Sequence, residues 1–505
     1  MKKINVFLSI ILAFCLILCS CEGAGDCKIS GNHSDSNDDG ACDGCRVSLI
    51  VTLDFYVLND LHGKFDDTDS NGGVDELTSY LLDTRFYDDY TVFLSSGDMW
   101  QGSSESNLTE GLIITDWMNE LDFVAMTLGN HEYDWGEEAI KNNLALAEFP
   151  FLAINIYDKD TNARVDYAIP SVTVERGGIQ IGIIGAMGDC YSSIASDKTE
   201  GVYFKTGSEL SSLVKEEAER LRNSGVDFIV YSIHDGNDDS KSGAVQSYDL
   251  SAYYDLALSD GYVDLVFEAH THKSYVQTDQ NGVYHLQGGG DNRGISHAEI
   301  KINSVTGTSS VSRAEFVGSS SYSLLSDAPI VDELLDKYAD VISKGNEVLG
   351  FNGYYRTGEY LADLMARLYT EWGENEYGNE YDIVLGGGYI KLRSPYKLDG
   401  GYVKYSDVQT IFPFDNVLTL CSIKGKDLKS NFINTENEAY HICFTDYGNA
   451  IKDEILDEET YYVVVDSYTS SYYKNRLTVI KSYVEGFYAR DLLADYVRQG
   501  QLEKY

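Results

Sequence analysis

Basic residues are scarce in this sequence of 505 residues. Only 38 Lys and Arg stand against 81 Asp and Glu, which gives a formal net charge of -43 at pH 7. Proteins that bind nucleic-acid polymers rely on Lys and Arg to neutralise the phosphates, so we expect no nucleic-acid polymer as a partner. A small phosphorylated substrate stays compatible with this acidity, because bound cations reverse the local field.

The body of the chain also lacks paired cysteines and long apolar runs. Three of the nine cysteines lie there, Cys190, Cys421 and Cys443, without paired spacing. No disulfide framework is therefore predicted, and we interpret these three as small buried hydrophobic residues. After the first 21 residues, no stretch reaches the length of a membrane-spanning helix, so we expect the remainder to be exported.

An apolar run from Ile4 to Leu18 follows Lys2-Lys3, as in a signal peptide. The run ends in Leu18-Cys19-Ser20-Cys21, which resembles a bacterial lipobox. The resemblance implies a lipoprotein signal peptide over residues 1–21 and a lipidated Cys21. The protein would then lie on the extracellular face of a bacterial membrane and touch the membrane only through this anchor. The alternative is ordinary cleavage near Gly23-Ala24, which would give a secreted protein.

Residues 22–48 are small, polar and acidic, which predicts a flexible tether. Within it, Asp35-Ser36-Asn37-Asp38-Asp39-Gly40 has oxygen side chains at alternate positions before a glycine, which is half of a calcium loop. Cys27, His33, Cys42 and Cys45 offer zinc ligands instead, the last two in C-x-x-C spacing. A solvated linker with incidental cysteines is the third interpretation, and the sequence leaves all three open.

Short β-branched runs alternate with helical patterns from residue 49 onward, which favours an α/β sheet with covered faces. An amphipathic helix is predicted over 208–223. The predicted strands are 49–58, 91–94, 123–128, 151–154, 179–184, 227–232 and 263–267.

Five of these strands are followed by Asp, Asn or His, at the edge where open α/β sheets bind ligands. Two divalent ions about 3.5–4 Å apart need several such ligands, including a bridging carboxylate. Mixed nitrogen and oxygen donors suit Mn, Zn, Co or Fe better than Ca. The candidate ligands are Asp60, His62, Asp98, Asn130, His234, His270 and His272.

The order of these elements resembles the calcineurin-type metallophosphoesterases, whose motifs run D-x-H, G-D, G-N-H-[ED], H and G-H-x-H. The run from Gly129 to Asp134 and the downstream half resemble the 5'-nucleotidase and UDP-sugar hydrolase group, over about residues 49–490. The resemblance implies a four-layer α/β/β/α catalytic domain over 49–320. A linker helix over 321–349 and a smaller α/β substrate-binding domain over 350–505 would follow, with the helix itself predicted from 328 to 344.

The resemblance also implies a role for each ligand. Asp60, His62, Asp98 and His272 would hold one metal, and Asp98, Asn130, His234 and His270 the other, with Asp98 bridging. Water activated by the metals would attack phosphorus, His131 would stabilise charge or protonate the leaving oxygen, and Asp134 would orient His131.

One departure from the family pattern lies beside the last ligand pair. Glu268-Ala269 replaces the usual Gly-Gly. Glu268 is therefore either a partner for the N–H of a ligand histidine or a buried structural contact.

In the second domain, the resemblance implies that Arg356 and Arg393 contact phosphate, with Lys391 as a rival for Arg393. Phe414 and Tyr468 would clamp a nucleobase, and Asn416 belongs to the same P-F-x-N segment. The family's terminal G-G-D-G turn, which helps to hold the sugar, is absent here. Strict specificity for nucleoside monophosphates is therefore not predicted.

These features predict a secreted phosphohydrolase of 5'-nucleotidase type, with nucleotides as substrates. Cleavage of UDP-sugars, pyrophosphates or 2',3'-cyclic phosphodiesters at the same metal pair is an alternative. A surface nucleotide-binding protein without catalytic activity is another.

Overall fold

The computed structural model describes residues 27, 32–65, 73–84, 89–236, 262–279, 282–388, 392–393, 396–433, 452–483 and 486–502. The leader with Cys21 lies outside these residues, as do Lys391 and Cys443, so the expectations placed on them stay predictions. Within the described ranges, no helix combines the length and the apolar character needed to cross a membrane.

Strands and helices alternate from residue 50 to residue 318. The seven predicted strands and the predicted helix all occur, with ends shifted by at most three residues. The strands are β1 (Ile50–Leu58), β2 (Thr91–Ser95), β3 (Ala125–Thr127), β4 (Phe151–Leu152), β5 (Ile156–Asp158), β6 (Ser171–Arg176), β7 (Ile179–Met187), β8 (Val202–Phe204), β9 (Phe228–His234), β10 (Leu265–Phe267), β11 (Ser274–Thr278), β12 (Tyr284–Gly288), β13 (Gly294–Asn303) and β14 (Ser309–Gly318). The helices are α1 (Val74–Thr84), α2 (Ser104–Leu108), α3 (Leu112–Glu120), α4 (Glu137–Leu146) and α5 (Gly207–Asn223).

Two six-stranded sheets organise this first region, in the orders β14-β13-β1-β2-β3-β4 and β11-β12-β10-β9-β7-β6. Strands β1 to β4 pair in parallel, and so do β7, β9, β10 and β12. The carboxyl ends of parallel strands lie at one edge of a sheet, which is where ligands bind in open α/β folds.

The alternation of side chains along the strands builds four layers. Phe55 of β1 contacts Phe228 of β9 between the two sheets, with ring centroids 6.0 Å apart. Leu58, on the opposite face of β1, packs into the helix-covered core of the first sheet. Tyr231 of β9 packs outward against Val214 of α5. The predicted α/β/β/α arrangement is thus confirmed, because successive residues of a strand face opposite sides.

A second region follows with its own buried cores, which contain only residues from 349 onward among those described. Its four-stranded sheet has the order β17 (383–386), β21 (460–466), β20 (418–424) and β22 (478–482), and the long helix α8 (358–377) packs on it. This confirms a second α/β domain; the limits 49–320, 321–349 and 350–505 remain our proposal. The strands are β15 (Val348–Asn352), β16 (Arg356–Thr357), β17 (Ile383–Gly386), β18 (Lys397–Leu398), β19 (Gly401–Lys404), β20 (Leu418–Lys424), β21 (Thr460–Asp466) and β22 (Thr478–Ser482). The helices, counted from the connection, are α6 (Pro329–Lys337), α7 (Ala339–Ile342), α8 (Gly358–Tyr377), α9 (Tyr405–Ile411), α10 (Gly425–Leu428), α11 (Ser467–Tyr472) and α12 (Asp491–Arg498).

The connection between the regions differs from the single helix predicted over 328–344. It forms α6 and α7, followed by a 3-10 turn over Ser343–Asn346. The break falls at Tyr338, whose φ of -98° and ψ of 7° leave the helical region. The Tyr338 hydroxyl lies 3.3 Å from Oδ2 of Asp116, and Lys337 pairs with the same carboxylate. These contacts with α3 hold Tyr338 in a non-helical conformation, although the helical periodicity of the sequence predicts that the helix continues there.

The segment before β1 also differs from the predicted flexible tether. Residues 32–49 are folded, with a bridge between Ala41 and Ser48. Asp35 accepts the amide of Gly40 at 2.8 Å and the side-chain amide of Asn303 at 2.7 Å. Asn303 ends β13, so a partner far along the chain holds a segment that is too polar to fold by itself.

Candidate metal centre and active site

The predicted ligands lie in the loops that follow strands of the two sheets. Asp60 and His62 follow β1, and Asp98 follows β2. Asn130 follows β3, and His234 is the last residue of β9. After β10, the same edge contributes His270 and His272.

Five of these ligands adopt the left-handed backbone conformation that disfavours side chains. Their φ values lie between 50° and 67°, where non-glycine residues are uncommon and strain accumulates at functional sites. Hydrogen bonds hold the loops in this form, such as the amide of Asp60 with the carbonyl of Gly97 at 2.9 Å. The five residues are Asp60, His62, Asp98, His270 and His272.

The ligand atoms converge on two adjoining points. Nε2 of His62 lies 3.0 Å from Nε2 of His272, which is 3.5 Å from Oδ1 of Asp60. Nε2 of His234 lies 3.1 Å from Oδ2 of Asp98 and 4.0 Å from Oδ1 of Asp60. The two carboxylates are buried at 0% and 1% exposure, so they depend on cationic partners for compensation.

Backbone carbonyls orient two of the imidazoles. Nδ1 of His62 lies 2.9 Å from the carbonyl oxygen of Gln101, and Nδ1 of His234 lies 2.7 Å from that of Ser96. Each carbonyl keeps a proton on Nδ1, because an oxygen acceptor needs a donor. Nε2, the nitrogen whose lone pair would bind a metal, therefore faces the cluster, as in metal-binding histidines.

Oδ1 of Asn130 and Nδ1 of His270 are buried and have no hydrogen-bond partner within the described part of the chain, and Nε2 of His234 is buried with only the Asp98 carboxylate beside it. Buried polar atoms in native proteins are nearly always paired. The unpaired amide oxygen and imidazole nitrogen both suit divalent cations. The residues present therefore fit the metal pair that the resemblance implies.

Burial and local charge prepare the cluster for cations. Burial lowers the pKa of His62 and brings that of His270 to about 3, so both imidazoles are neutral, as metal ligation requires. Burial also lowers the pKa of His234, but Asp98 outweighs it and raises this pKa to about 10. A cation binding between His234 and Asp98 would displace a proton.

Two supporting residues received no role from the sequence, although both lie inside quoted motifs. Glu132 accepts the amides of Asp98 at 2.9 Å, Met99 at 2.8 Å and Gly129 at 2.7 Å. It thereby joins the loops after β2 and β3. Asn59 donates to Oδ2 of Asp60 at 2.6 Å and fixes the direction of that carboxylate.

Cys190 was interpreted only as a buried hydrophobic residue. It is buried, but its sulfur also lies within 4.8 Å of ligand atoms of His234 and His270. The Cys190 thiol donates to the carbonyl of His234 at 3.0 Å. Its position shows no signal in the sequence, because the contact depends on how β7 packs beside β9.

His131 lies at the rim of the cluster, where the two regions meet. Its Nδ1 is 2.8 Å from Oδ2 of Asp134, and its amide donates to Oδ1 of Asp98 at 2.8 Å. From the second region, a guanidinium nitrogen of Arg393 lies 2.6 Å from its Nε2. The predicted catalytic pair, His131 and Asp134, therefore lies next to Arg393, the residue predicted to contact phosphate.

A cavity of about 250 Å³ opens beside His131 between the two regions. Phe414 contacts both His131, at 5.8 Å between ring centroids, and the guanidinium of Arg393, at 5.6 Å. The structure thus brings together all but one of the predicted substrate residues. The lining includes His131, Asp134, Lys198, Phe414, Asn416 and Tyr468.

Arg356 is the exception, and its predicted phosphate contact is corrected here. Its guanidinium donates to the carbonyl of Leu502 at 2.7 Å and to Oδ1 of Asn352 at 3.3 Å. It also lies 4.6 Å from the ring of Tyr360. A side chain with 7% exposure and these partners serves the packing of the second region.

Glu268 does not contact a ligand histidine through its carboxylate. Oε1 lies 2.8 Å from Nδ1 of His285, and Oε2 accepts the hydroxyl of Tyr275. The buried structural contact is therefore the correct one of the two interpretations.

Where the family has its terminal glycine turn, this chain forms helix α11, which carries Tyr468 to the cavity.

Comparison with known proteins agrees with this geometry. The calcineurin-like phosphoesterase family matches residues 53–274. Endonuclease YhcR of Bacillus subtilis is 26% identical over 75% of this chain, although the match spans 32% of that protein. The 5'-nucleotidase of Vibrio vulnificus is 25% identical over 67% of this chain and 66% of its own length.

Among solved structures, the 5'-nucleotidase precursor of Thermus thermophilus has the same fold. The TM-score is 0.67 at 20% identity, and the match covers 89% of this chain and 96% of that one. Family members use divalent metals, and the described cluster offers candidate ligands for them. Residues 53–274 therefore form a calcineurin-like phosphoesterase domain, and the chain, which is similar to 5'-nucleotidases over most of its length, is a phosphoric ester hydrolase.

Proposed function

We propose that this protein is an exported hydrolase that removes phosphate from nucleotides with the help of two divalent ions. One ion would be held by Asp60, His62, Asp98 and His272. The other would be held by Asp98, Asn130, His234 and His270. The mixed nitrogen and oxygen donors favour Mn, Zn, Co or Fe.

When bound, such ions act as Lewis acids on phosphoryl oxygens and make water nucleophilic near neutral pH. The residues of the chain supply the remaining functions. Asp98 would serve both sites, because its carboxylate lies within 4.8 Å of ligand atoms of His62 in one group and of Asp60 and His234 in another. Glu132 and Asn59 restrict the loops, so the ligands need little reorganisation during the reaction.

The observation that carries the proposal is the approach of Arg393 to His131, at 2.6 Å. Two groups that can both carry positive charge converge beside the metal ligands. A phosphoryl oxygen placed beside this pair would accept charge-assisted hydrogen bonds from both side chains, in place of their contact with each other. His131 would protonate the leaving oxygen, and Asp134 would hold its ring through Nδ1.

The cavity beside this pair would receive the nucleoside part of the substrate. Phe414 and Tyr468 line it with aromatic surface, and Asn416 adds an amide. Stacking between aromatic rings tolerates any base. Pyrophosphate and cyclic phosphodiester substrates use the same attack on phosphorus and remain alternatives. The sugar contact has no predicted residue, since the family's glycine turn is missing.

The location outside the cell rests on the leader alone. Lys2-Lys3, the apolar run and Cys21 match a lipoprotein signal. We infer that Cys21 anchors the protein on the outer surface of a membrane. Incorporation of labelled palmitate into wild type but not into Cys21→Ala tests this anchoring, and equal labelling of both proteins would refute it.

A substrate screen tests the function. Purified protein should release phosphate from mononucleotides after loading with Mn or Zn, and a chelator should stop the reaction. The same screen should include pyrophosphate-linked nucleotides and 2',3'-cyclic nucleotides, which are the alternative substrates. It should also include single-stranded DNA, because one relative is called an endonuclease.

Asp98→Ala should abolish turnover on every substrate, because it removes the residue shared by both metal sites. Full activity of Asp98→Ala would refute the proposed centre. Turnover of a polymer alone would refute the proposed substrate class while leaving the centre intact.

A further inference from the structure

A second cluster of metal-ligating side chains lies before β1. Cys27, His33, Cys42 and Cys45 each direct one ligand atom inward, and these atoms all lie within 4.8 Å of one another. Cys42 is fully buried and Cys27 is 8% exposed. None of these three cysteines forms a disulfide. Three sulfurs and one imidazole nitrogen match a closed structural zinc site.

Backbone and side-chain contacts hold the ligand residues of the cluster in place. The amides of Cys45 and Ser34 donate to the sulfur of Cys42. Nδ1 of His33 lies 3.7 Å from the sulfur of Cys45. The C-x-x-C turn is closed by the amide of Arg46 on the carbonyl of Cys42 at 2.8 Å.

The geometry fits a tetrahedral ion. A zinc–sulfur distance of about 2.3 Å places sulfurs about 3.8 Å apart around one ion. The ligand atoms here lie within 4.8 Å, so a small contraction completes the coordination. A calcium site is not supported, because the acidic side chains of the segment already accept hydrogen bonds, as Asp35 does from Asn303 and Gly40.

The cluster is separate from the catalytic centre. It lies at the amino end of β1, whereas Asp60 follows the carboxyl end. Strand β1 has nine residues, which at about 3.3 Å each corresponds to ~30 Å. Changes at one site should leave the other intact.

We propose that Cys27, His33, Cys42 and Cys45 bind one zinc ion that fixes the segment before β1 to the first domain. The segment has a small apolar core, formed by Cys27, Cys42 and Leu49. A bound metal supplies folding free energy where the hydrophobic core is small. The remaining attachment is polar, through Asp35 and Asn303.

Cobalt substitution tests this proposal without reference to catalysis. The full chain, purified with a reductant, is loaded with cobalt(II) and its near-ultraviolet spectrum is recorded. We expect a thiolate-to-cobalt charge-transfer band in wild type, and we expect its loss in Cys45→Ala and His33→Ala. The predicted ligands of the catalytic cluster are oxygen and nitrogen atoms, and any band from Cys190, whose sulfur lies near His234 and His270, should be unchanged in Cys45→Ala and His33→Ala. Cys421→Ala, a buried cysteine of β20, is the matched control and should keep the band.

Zinc content gives the second measurement. After equal loading and dialysis, Cys45→Ala should retain one zinc ion fewer per chain than wild type and Cys421→Ala, with the same phosphatase activity. Equal zinc content in all three proteins, or no thiolate band in wild type, would overturn the proposal. A disulfide among these cysteines that persists under reductant would also overturn it.

Discussion

The ligand loops of the first domain and the substrate residues of the second reach the active site in different ways. Asp60, Asp98 and His270 are held by strands of the same two sheets, and their positions follow from the local sequence. Arg393 and Phe414 arrive from another domain, so their positions depend on how two bodies pack. The positions of the ligand residues are determined by the fold of the first domain. The positions of Arg393 and Phe414 depend in addition on how the two domains are arranged.

This difference predicts different consequences of mutation. Replacing a residue on the sheet edge should remove chemistry for every substrate. Replacing a residue of the second domain should change affinity, and the change should depend on which part of the substrate it contacts. The four predictions below test this distinction, in order of decreasing effect on activity.

The largest effect is expected for His131→Ala. General acid catalysis contributes about 10²- to 10⁴-fold, so kcat should fall by that factor for substrates with a poor leaving group. Asp134→Asn should have a smaller effect, because it only weakens the hydrogen bond that orients the His131 ring through Nδ1. Steady-state kinetics measures both, and metal content checks that the ligands remain in place. Wild-type kcat in His131→Ala would show that the leaving oxygen needs no protein acid.

Arg393→Ala and Arg356→Ala form a matched pair. Hydrogen bonds to charged groups contribute about 1.5–3 kcal/mol, so Arg393→Ala should lower kcat/KM by about 10- to 150-fold. Arg356→Ala should leave kcat/KM unchanged and lower Tm, because it leaves the buried carbonyl of Leu502 without its donor. A loss of activity without a loss of Tm in Arg356→Ala would reveal a second domain arrangement in which Arg356 reaches the phosphate.

Phe414→Leu should act on the base alone. Aromatic stacking on a base contributes about 1–3 kcal/mol, so KM for nucleotides should rise by roughly 5- to 150-fold. Ribose 5-phosphate, which lacks a base, should be cleaved by the variant and by wild type with the same kcat/KM. Tyr468→Leu should behave in the same way if the two rings act as a clamp. An equal loss on both substrates would mean that Phe414 serves only to position Arg393.

How much of this could be predicted from the sequence depends on the range of the interactions. The seven ligands remain a prediction, but the reason that they can be proposed from the sequence is physical, because each follows a strand and parallel strands end at one edge. The function of Glu132 was missed, although it is part of the quoted motif. Its three amide contacts appear only when the loops after β2 and β3 are placed side by side.

Long-range partners explain the remaining errors. The acidic segment before β1 folds because Asn303 binds Asp35, and the sequence around Asp35 contains no sign of it. The helix expected over 328–344 breaks where Tyr338 contacts α3. Arg356 matches a family motif, yet its guanidinium turns to Leu502 at the end of the chain. In each case a residue more than 100 positions away decides the local structure.

The smallest effect on activity is expected for Asp466→Asn, which tests how the helix that carries Tyr468, α11, is held at its amino end. Asp466 is buried and its Oδ1 accepts the amide of Thr469 at 2.7 Å, at the start of α11. Burial outweighs this hydrogen bond and raises the pKa to about 6, from an ordinary value of 3.8. The folded protein therefore holds this proton to a higher pH than the unfolded chain, so the contribution of Asp466 to stability falls as pH rises from about 4 to about 6.

Asparagine keeps the acceptor for Thr469 but carries no charge at any pH. The variant should therefore match wild type in stability near pH 4 and exceed it above pH 6. One pKa unit corresponds to about 1.4 kcal/mol, so the gain should be on the order of 3 kcal/mol. Urea unfolding of both proteins at several pH values measures it. A difference that stays constant with pH would show that the carboxylate is not desolvated, and that α11 is not held by a buried acid.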